Sequence, residues 1–107
     1  MVTSLPFYKL QATGNDFIFL KEEDVAAAKI SMEQIVPQMC HRNLGIGADG
    51  VAVIRSTRSN ALSWIFYNSD DKEANMCGNA ARCAVVFYQK ILGGKEEMML
   101  HTRAGLI

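Results

Sequence analysis

Cys77 is the residue whose setting in the sequence points most directly to chemistry. It stands in EANMCGNAARCAVVFYQKILGG, between a polar segment and a run that is apolar at nearly every position. We expect this run to be a helix that starts near Gly78 or Asn79 and stops at the Gly93–Gly94 pair. A helix N-terminus presents unpaired N–H groups and the positive end of the dipole, which favour an anion. A thiolate is such an anion, so Cys77 is a candidate base or nucleophile, with inert buried filling as the alternative.

The other cysteines and the histidines do not suggest a metal centre. The chain has three cysteines and two histidines, and no C-x2-C or H-x3-H spacing occurs among them. Cys83 falls inside the apolar run, where a small buried hydrophobic residue is expected. Three cysteines at irregular spacing indicate reduced thiols rather than a disulfide framework. We therefore expect no metal site.

The loop LGIGADGV has the glycine spacing of a dinucleotide-binding turn at Gly45, Gly47 and Gly50. That fingerprint has its meaning between a strand and a following helix, whose N-terminus receives the pyrophosphate. Here a short helical segment precedes the loop and the strand pattern VAVIR follows it. We therefore interpret the glycines as a tight connection that needs positive φ or close backbone approach.

Short apolar stretches between turn signals predict strands. They lie at residues 6–10, 16–20, 51–55, 62–67 and 98–103. A turn is expected at residues 13–15, and a short helix is expected to open with a Ser31–Gln34 capping box and to be kinked or shortened by Pro37. Strands outnumber helices and one helix is too apolar to lie outside. The prediction is an α+β fold in which a curved, mostly antiparallel sheet or barrel is wrapped around a central helix.

Length and charge limit the class of protein. A chain of 107 residues is one domain, and its 11 basic and 11 acidic residues are scattered, which argues against a nucleic-acid or membrane-surface partner. No apolar stretch reaches membrane-spanning length, and the N-terminus lacks a secretory signal pattern. A cytoplasmic location is the default expectation.

Four stretches together resemble one family. They are ATGNDFIFL, HRNLGIGADGVAVI, IFYNSDDKEANMCGNAARCAVVFY and LHTRAGLI. In this order and at about these separations, they resemble the N-terminal half of diaminopimelate epimerases, which belong to the racemases and epimerases that work without pyridoxal phosphate. The most specific element is MCGN followed by ARC. Related proline racemases usually carry a histidine where Asn79 stands, so the resemblance favours the diaminopimelate branch.

The resemblance implies a mechanism and a set of residues. Such enzymes invert an α-carbon with two cysteines, one removing a proton and the other returning one on the opposite face, without a cofactor. By correspondence with the family, Cys77 is one of these cysteines. Asn15, Asn68, Gly78 and Asn79 would contact the substrate, an amino acid. From the residues alone, Asn15 and Asn68 are also ordinary turn residues.

The family's second cysteine lies in a C-terminal half that this sequence does not include. We therefore expect a truncated chain, a natural fragment or one half of a split enzyme, with the C-terminal half or a homodimer mate as partner. The function expected is epimerisation of L,L- to meso-diaminopimelate in lysine biosynthesis, with the chain alone inactive. Two alternatives stay open: a racemase of another amino acid such as histidine, and a non-catalytic binding or assembly module that retains the fold.

Overall fold

The computed structural model describes residues 5–12, 14–58, 61–69, 73–74, 78–93, 99–102 and 105–106. Within them, strands and helices alternate irregularly along the chain. The elements are β1 (Tyr8–Ala12), β2 (Asn15–Lys21), α1 (Glu22–Ala28), α2 (Met32–Cys40), β3 (Gly50–Arg58), β4 (Ala61–Asn68), β5 (Glu73–Ala74), α3 (Gly78–Lys90), β6 (Met99–Thr102) and β7 (Gly105–Leu106).

The strands form one sheet in the order β1-β2-β3-β4-β6-β7, with β5 paired to β4. Four of the pairings are antiparallel, whereas β2 with β3 and β4 with β6 are parallel. The predicted α+β class and mostly antiparallel sheet are confirmed. Over the residues described, β1 and β7 do not pair with each other, so the sheet is open rather than a closed barrel.

Strand β2 passes through the middle of the core and is apolar on both faces. Phe17 and Phe19 belong to the cluster that α3 completes, while Ile18 and Leu20 belong to the cluster on the α2 side. All four are at most 2% exposed. Because successive side chains of a strand point to opposite faces, a strand covered on both sides has a continuous apolar run, as FIFL does.

Helix α3 covers one face of the sheet. Its buried residues are Ala80, Cys83, Ala84, Phe87 and Tyr88. Phe87 is fully buried and its ring lies 5.4 Å from that of Tyr8 and 5.2 Å from that of Phe19. The opposite side of α3 is only partly covered in the described part of the chain, since Val85 and Val86 are each 38% exposed. The start predicted at Gly78 is confirmed, and Gly93 follows the helix with φ +71°.

The short helices lie on the other side of the sheet. In α2, Val36, Met39 and Cys40 are buried against Ile18, Leu20, Val51 and Val53. Ser31 precedes α2, but its side chain makes no capping hydrogen bond, so the predicted capping box is wrong; the Ser31 carbonyl accepts the N–H of Ile35 instead. Pro37 lies inside α2, which ends at Cys40.

Helix α1 follows β2 directly and was not anticipated from the sequence. Its first turn holds Glu22, Glu23 and Asp24, and the residue after its end, Lys29, is in the left-handed conformation with φ 55°. Acidic residues in a first turn suit the positive end of the helix dipole. No residue of α1 is fully buried, so the helix leaves almost no apolar pattern in the sequence.

Candidate functional site

The candidate residues meet where several elements begin or end. Strand β2 starts at Asn15, β3 starts at Gly50, and β4 ends at Asn68. Gly50 pairs with Phe17 on one side and with Asn68 on the other. The start of α3 reaches the same place, because Asn79 in its first turn contacts Asn15.

Two asparagines from distant parts of the sequence are in direct contact here. The Asn79 Nδ2 donates to Asn15 Oδ1 at 2.5 Å, across 64 positions of the chain. The Asn15 Nδ2 in turn donates to Asp49 Oδ2 at 3.0 Å. The structure thus brings together Asn15 and Asn79 among the predicted substrate contacts. Asn68 is exposed at the same end of the sheet.

Gly78 is the first residue of α3 and is exposed. A Cβ atom added there would meet nothing within 4 Å among the residues described. None of the residues described therefore covers this position, and a helix N-terminus is the kind of place that binds an anion. Cys77, the candidate acid/base residue, lies outside the described residues. In sequence it directly precedes Gly78.

Asp16, Arg42 and Asp49 form an ionic cluster beside the asparagine pair. The Arg42 guanidinium donates to both oxygens of Asp16, at 2.7 and 2.8 Å, and to Asp49 Oδ1 at 3.0 Å. Lys9 adds a contact to Asp16 at 3.2 Å. Bidentate arginine–carboxylate pairs fix both partners in direction as well as in distance.

The hydrogen bonds from Arg42 hold the pKa of Asp16 well below its usual range, against the opposing effect of partial burial, and Lys9 adds to the lowering. The same pairing raises the pKa of Arg42 above its ordinary value. Both groups are therefore charged at neutral pH. The cluster is a permanent electrostatic feature of this end of the sheet.

The glycine-rich loop between α2 and β3 carries Arg42 and Asp49 into place. Gly47 has φ +85° and its N–H bonds the Met39 carbonyl at 2.8 Å, while the N–H of Asp49 bonds the Asp16 carbonyl at 2.8 Å. A Cβ atom at Gly50 would lie 2.8 Å from the Tyr67 carbonyl oxygen. The interpretation as a tight connection is confirmed, and the order helix, loop, strand is the reverse of a dinucleotide-binding turn.

His41, Cys40 and Cys83 lie in surroundings that suit a structural role. His41 Nδ1 accepts the N–H groups of Asn43 and Leu44, each at 3.1 Å. Cys40 and Cys83 are buried on opposite faces of the sheet. Burial raises the pKa of the Cys40 thiol to about 11, with the charge of Arg42 acting in the other direction. Neither thiol is placed for acid/base work near neutral pH.

Among the residues that the structure describes, no three His, Cys, Asp or Glu side chains are grouped closely enough to hold a metal ion. Over the same residues, no helix combines the length and the apolar character needed to span a bilayer. The absence of a cofactor stays a prediction.

Sequence reasoning missed Asp16, Arg42 and Asp49. All three lie in the stretches GND and HRNLGIGADG, whose evident features are their glycines and their resemblance to the family. A charged residue on each side of a glycine-rich loop was the available signal. The spacing of the residues gave no sign that Arg42 and Asp49 pair with each other, or that each of them also bonds Asp16.

The sequence of this chain is similar to known proteins of one family. The family model for diaminopimelate epimerase matches residues 7–107. A diaminopimelate epimerase of Helicobacter pylori strain HPAG1 is 40% identical over 95 residues, which is 88% of this chain and 33% of that protein. The Aquifex aeolicus enzyme is 38% identical and the chloroplastic one of Oryza sativa subsp. japonica is 39% identical, covering 96% and 97% of this chain but 40% and 30% of theirs.

Among solved structures, a methylitaconate-delta-isomerase matches with a TM-score of 0.67 and 21% identity over 95% of this chain and 33% of that one. At this identity the match concerns the fold alone. The chain spans about a third of the length of the curated relatives that it matches. With the family model covering all but the first six residues, the chain belongs to the diaminopimelate epimerase family.

Proposed function

We propose that this chain is the N-terminal part of a diaminopimelate epimerase, which interconverts L,L- and meso-diaminopimelate without a cofactor. The observation that carries the proposal is the contact between Asn79, in the first turn of α3, and Asn15 at the start of β2. It places two amide side chains beside an exposed helix start, and the sequence puts Cys77 immediately before that start. The curated relatives that match this sequence carry the name diaminopimelate epimerase.

The helix start supplies the binding group for the substrate α-carboxylate. The N–H groups of Gly78 and Asn79 are in the first turn of α3, where intrahelical partners are lacking. An α-carboxylate bound there gains negative charge as the neighbouring proton leaves, and the N–H groups and helix dipole stabilise that charge. Asn15 and Asn68 provide uncharged donors and acceptors for the ammonium and carboxylate groups.

The proton transfers use two thiols. The Cys77 thiolate takes the proton from the α-carbon, and the electron pair of the broken C–H bond moves toward the carboxylate. A second thiol then gives its proton to the opposite face of the carbon, which inverts the centre and leaves that second sulfur as the thiolate. Acid and base exchange roles in the reverse direction.

The second thiol would come from outside these residues. Cys40 and Cys83 are both buried in the two core clusters, and the cost of ionising Cys40 there is reflected in its raised pKa of about 11. We therefore propose that the present chain contributes one acid/base cysteine. The remaining part of a full-length epimerase, or a second protomer, contributes the other.

A chimera tests this proposal directly. Residues 1–107 replace the corresponding N-terminal part of the Aquifex aeolicus relative, and the product is incubated with L,L-diaminopimelate in D2O. We expect deuterium at the α-carbon and conversion to the meso form, both followed by NMR. L-Histidine serves as the competing substrate, since a racemase of another amino acid is the alternative.

Controls separate folding from chemistry. The chimera with Cys77→Ala should keep its melting temperature and lose inversion, and the unaltered Aquifex protein defines full activity. A folded chimera that inverts neither substrate would contradict the proposal, and a folded chimera that inverts histidine alone would replace it. If the chimera does not fold, titration of the isotope-labelled chain decides: diaminopimelate should shift the amide signals of Gly78 and Asn79, and absence of shifts counts against the site.

A further inference from the structure

The charged cluster next to the asparagine pair has no part in the reaction proposed above. We propose that Asp49, held in place by Arg42, is a positioning residue that sets the orientation of the side-chain amides of Asn15 and Asn79, that is, where the oxygen and the nitrogen of each amide lie. The inference rests on the proposed function, because it concerns the side chains assigned there to substrate binding. The hydrogen bonds run from Arg42 through Asp49 and Asn15 to Asn79, and this path is called the relay below.

The direction of this path follows from hydrogen-bond chemistry. The Asp49 carboxylate, paired with the Arg42 guanidinium, can only accept hydrogen bonds, so Asn15 must turn its Nδ2 toward Asp49. The Asn15 Oδ1 then faces Asn79, which must present its own Nδ2. An amide on its own has almost the same shape when its oxygen and nitrogen are exchanged. One carboxylate therefore removes that ambiguity from both asparagines.

Asp49 is itself fixed from several sides. Its Oδ1 accepts from Arg42 and its Oδ2 accepts the backbone N–H of Asp16 at 3.2 Å, while its own N–H bonds the Asp16 carbonyl. Arg42 is anchored by its bidentate pair with Asp16. Asp49 thus has both a fixed backbone and fixed carboxylate oxygens, as a residue that orients another side chain requires.

The relay leaves a defined set of groups for a ligand. Counting the hydrogen bonds of these two amides among the described residues, Asn15 has one N–H and one oxygen lone pair left, and Asn79 has one N–H and both lone pairs of its oxygen. With the polarity set in advance, donors stay where a carboxylate would bind and acceptors where an ammonium would bind. If the two amides could exchange their oxygen and nitrogen positions, some of the protein would present an amide N–H to the ammonium group of the ligand, and two hydrogen-bond donors would then face each other.

Substituting Asp49→Asn should reverse the relay while keeping its shape. Arg42, whose donor is charged, would hold the oxygen of the new amide at the expense of the 3.2 Å bond from the Asp16 N–H. This leaves the new NH2 group facing Asn15. Asn15 would then turn over to accept, and Asn79 would turn over in response. In the double variant Asn15→Asp/Asp49→Asn, the carboxylate introduced at position 15 accepts from both sides and should return Asn79 to its original orientation.

The measurement is NMR of the isotope-labelled chain without ligand. In the unaltered protein we expect a scalar coupling across the hydrogen bond from Asn79 Nδ2 to the Asn15 side-chain carbon. In Asp49→Asn the coupling should run from Asn15 Nδ2 to the Asn79 side-chain carbon, and in the double variant it should again start from Asn79 Nδ2. Glu22→Gln is the matched control, because it removes a carboxylate paired with Arg55 at 3.9 Å and should change nothing at the asparagines.

A purely structural Asp49 would lower the melting temperature of Asp49→Asn and leave the direction of the coupling unchanged, which would overturn the proposal. Absence of the coupling in the unaltered chain would also overturn the proposal. That measurement needs no variant, so it decides even if the variants do not fold. For diaminopimelate itself, reversed amides should weaken binding about three- to tenfold, the effect of about one hydrogen bond. If diaminopimelate does not bind the unaltered protein, the proposed function fails while the ligand-free couplings still decide the relay.

Discussion

Replacing Phe87 with alanine tests how α3 is held against the sheet, and hence how Asn79 is held beside Asn15. Phe87 is fully buried, with ring centroids 5.4 Å from Tyr8 and 5.2 Å from Phe19. Truncating a buried phenylalanine to alanine costs about 3–5 kcal/mol through lost transfer energy and the cavity left behind. A domain of this size has a free energy of unfolding of about 5–15 kcal/mol, so the variant should be folded but much weakened.

Urea unfolding followed by tryptophan fluorescence measures this loss. Trp64 is the single tryptophan, is 4% exposed and belongs to the same core cluster as Phe87. With a urea slope of about 2 kcal/mol per M, the unfolding midpoint should fall by about 2 M. The Asn79 side-chain signals should broaden below the midpoint, since the helix that carries Asn79 loses a large, fully buried side chain.

Val86→Ala is the matched control, because Val86 is the preceding residue on the same helix and is 38% exposed. It should cost less than about 1 kcal/mol, as surface substitutions do. Equal losses of the free energy of unfolding in the two variants would show that α3 does not pack on the sheet through Phe87. The position of Asn79 beside Asn15, which depends on that packing, would then be contradicted as well. A Phe87→Ala loss below about 1 kcal/mol would lead to the same conclusion.

Three other predictions concern the site. In the folded chain, iodoacetamide should modify Cys77 faster than either of the two buried cysteines, and mass spectrometry showing the reverse order would contradict its assignment as the reactive thiol. Asn79→Ala should weaken binding of a carboxylate-bearing ligand with little change in melting temperature; a large loss of melting temperature with unchanged binding would make Asn79 structural. Because the pKa of Asp16 is lowered in the folded protein, its contribution to the free energy of unfolding is fully present above the unfolded-state pKa near 4 and is lost as the pH falls below that value. Asp16→Asn should therefore reduce stability at pH 7 and make the remaining stability depend less on pH in acid. Urea unfolding between about pH 7 and pH 2 measures both effects.

The main elements of the fold could be predicted because they bury apolar side chains in simple patterns. The run FIFL in β2 and the apolar positions of α3 each reflect direct contact with a core. Helix α1 could not be predicted in this way, since none of its residues is fully buried. The parallel pairings of β2 with β3 and of β4 with β6 were also out of reach, because neither is set by a local turn.

The site was predictable only in part, for a related reason. Asn15 and Asn79 were named through the family resemblance, and their contact depends on how α3 docks, which no local pattern encodes. Asp49 and Arg42 were overlooked because a charged residue in a loop is ordinarily a solvated one. Their pairing becomes visible only after the loop has brought Asp49 next to the start of β2.

The cysteines show why the proposed reaction needs more than this sequence. A single thiol that removes the α-proton can return it only to the face from which it came, so inversion needs a second acid on the opposite face. Cys40, the last residue of α2, is buried on one face of the sheet, and Cys83 in α3 is buried on the other. Both are at most 5% exposed. To reach a substrate at the start of α3, either would have to leave the core, lose its packing and leave a cavity behind. A second copy of Cys77 or a cysteine from the rest of an epimerase avoids that cost. Inversion by the purified chain under conditions where sedimentation shows only monomer would contradict this, whereas inversion that appears only as the chain dimerises would identify a partner protomer as the source of the second thiol.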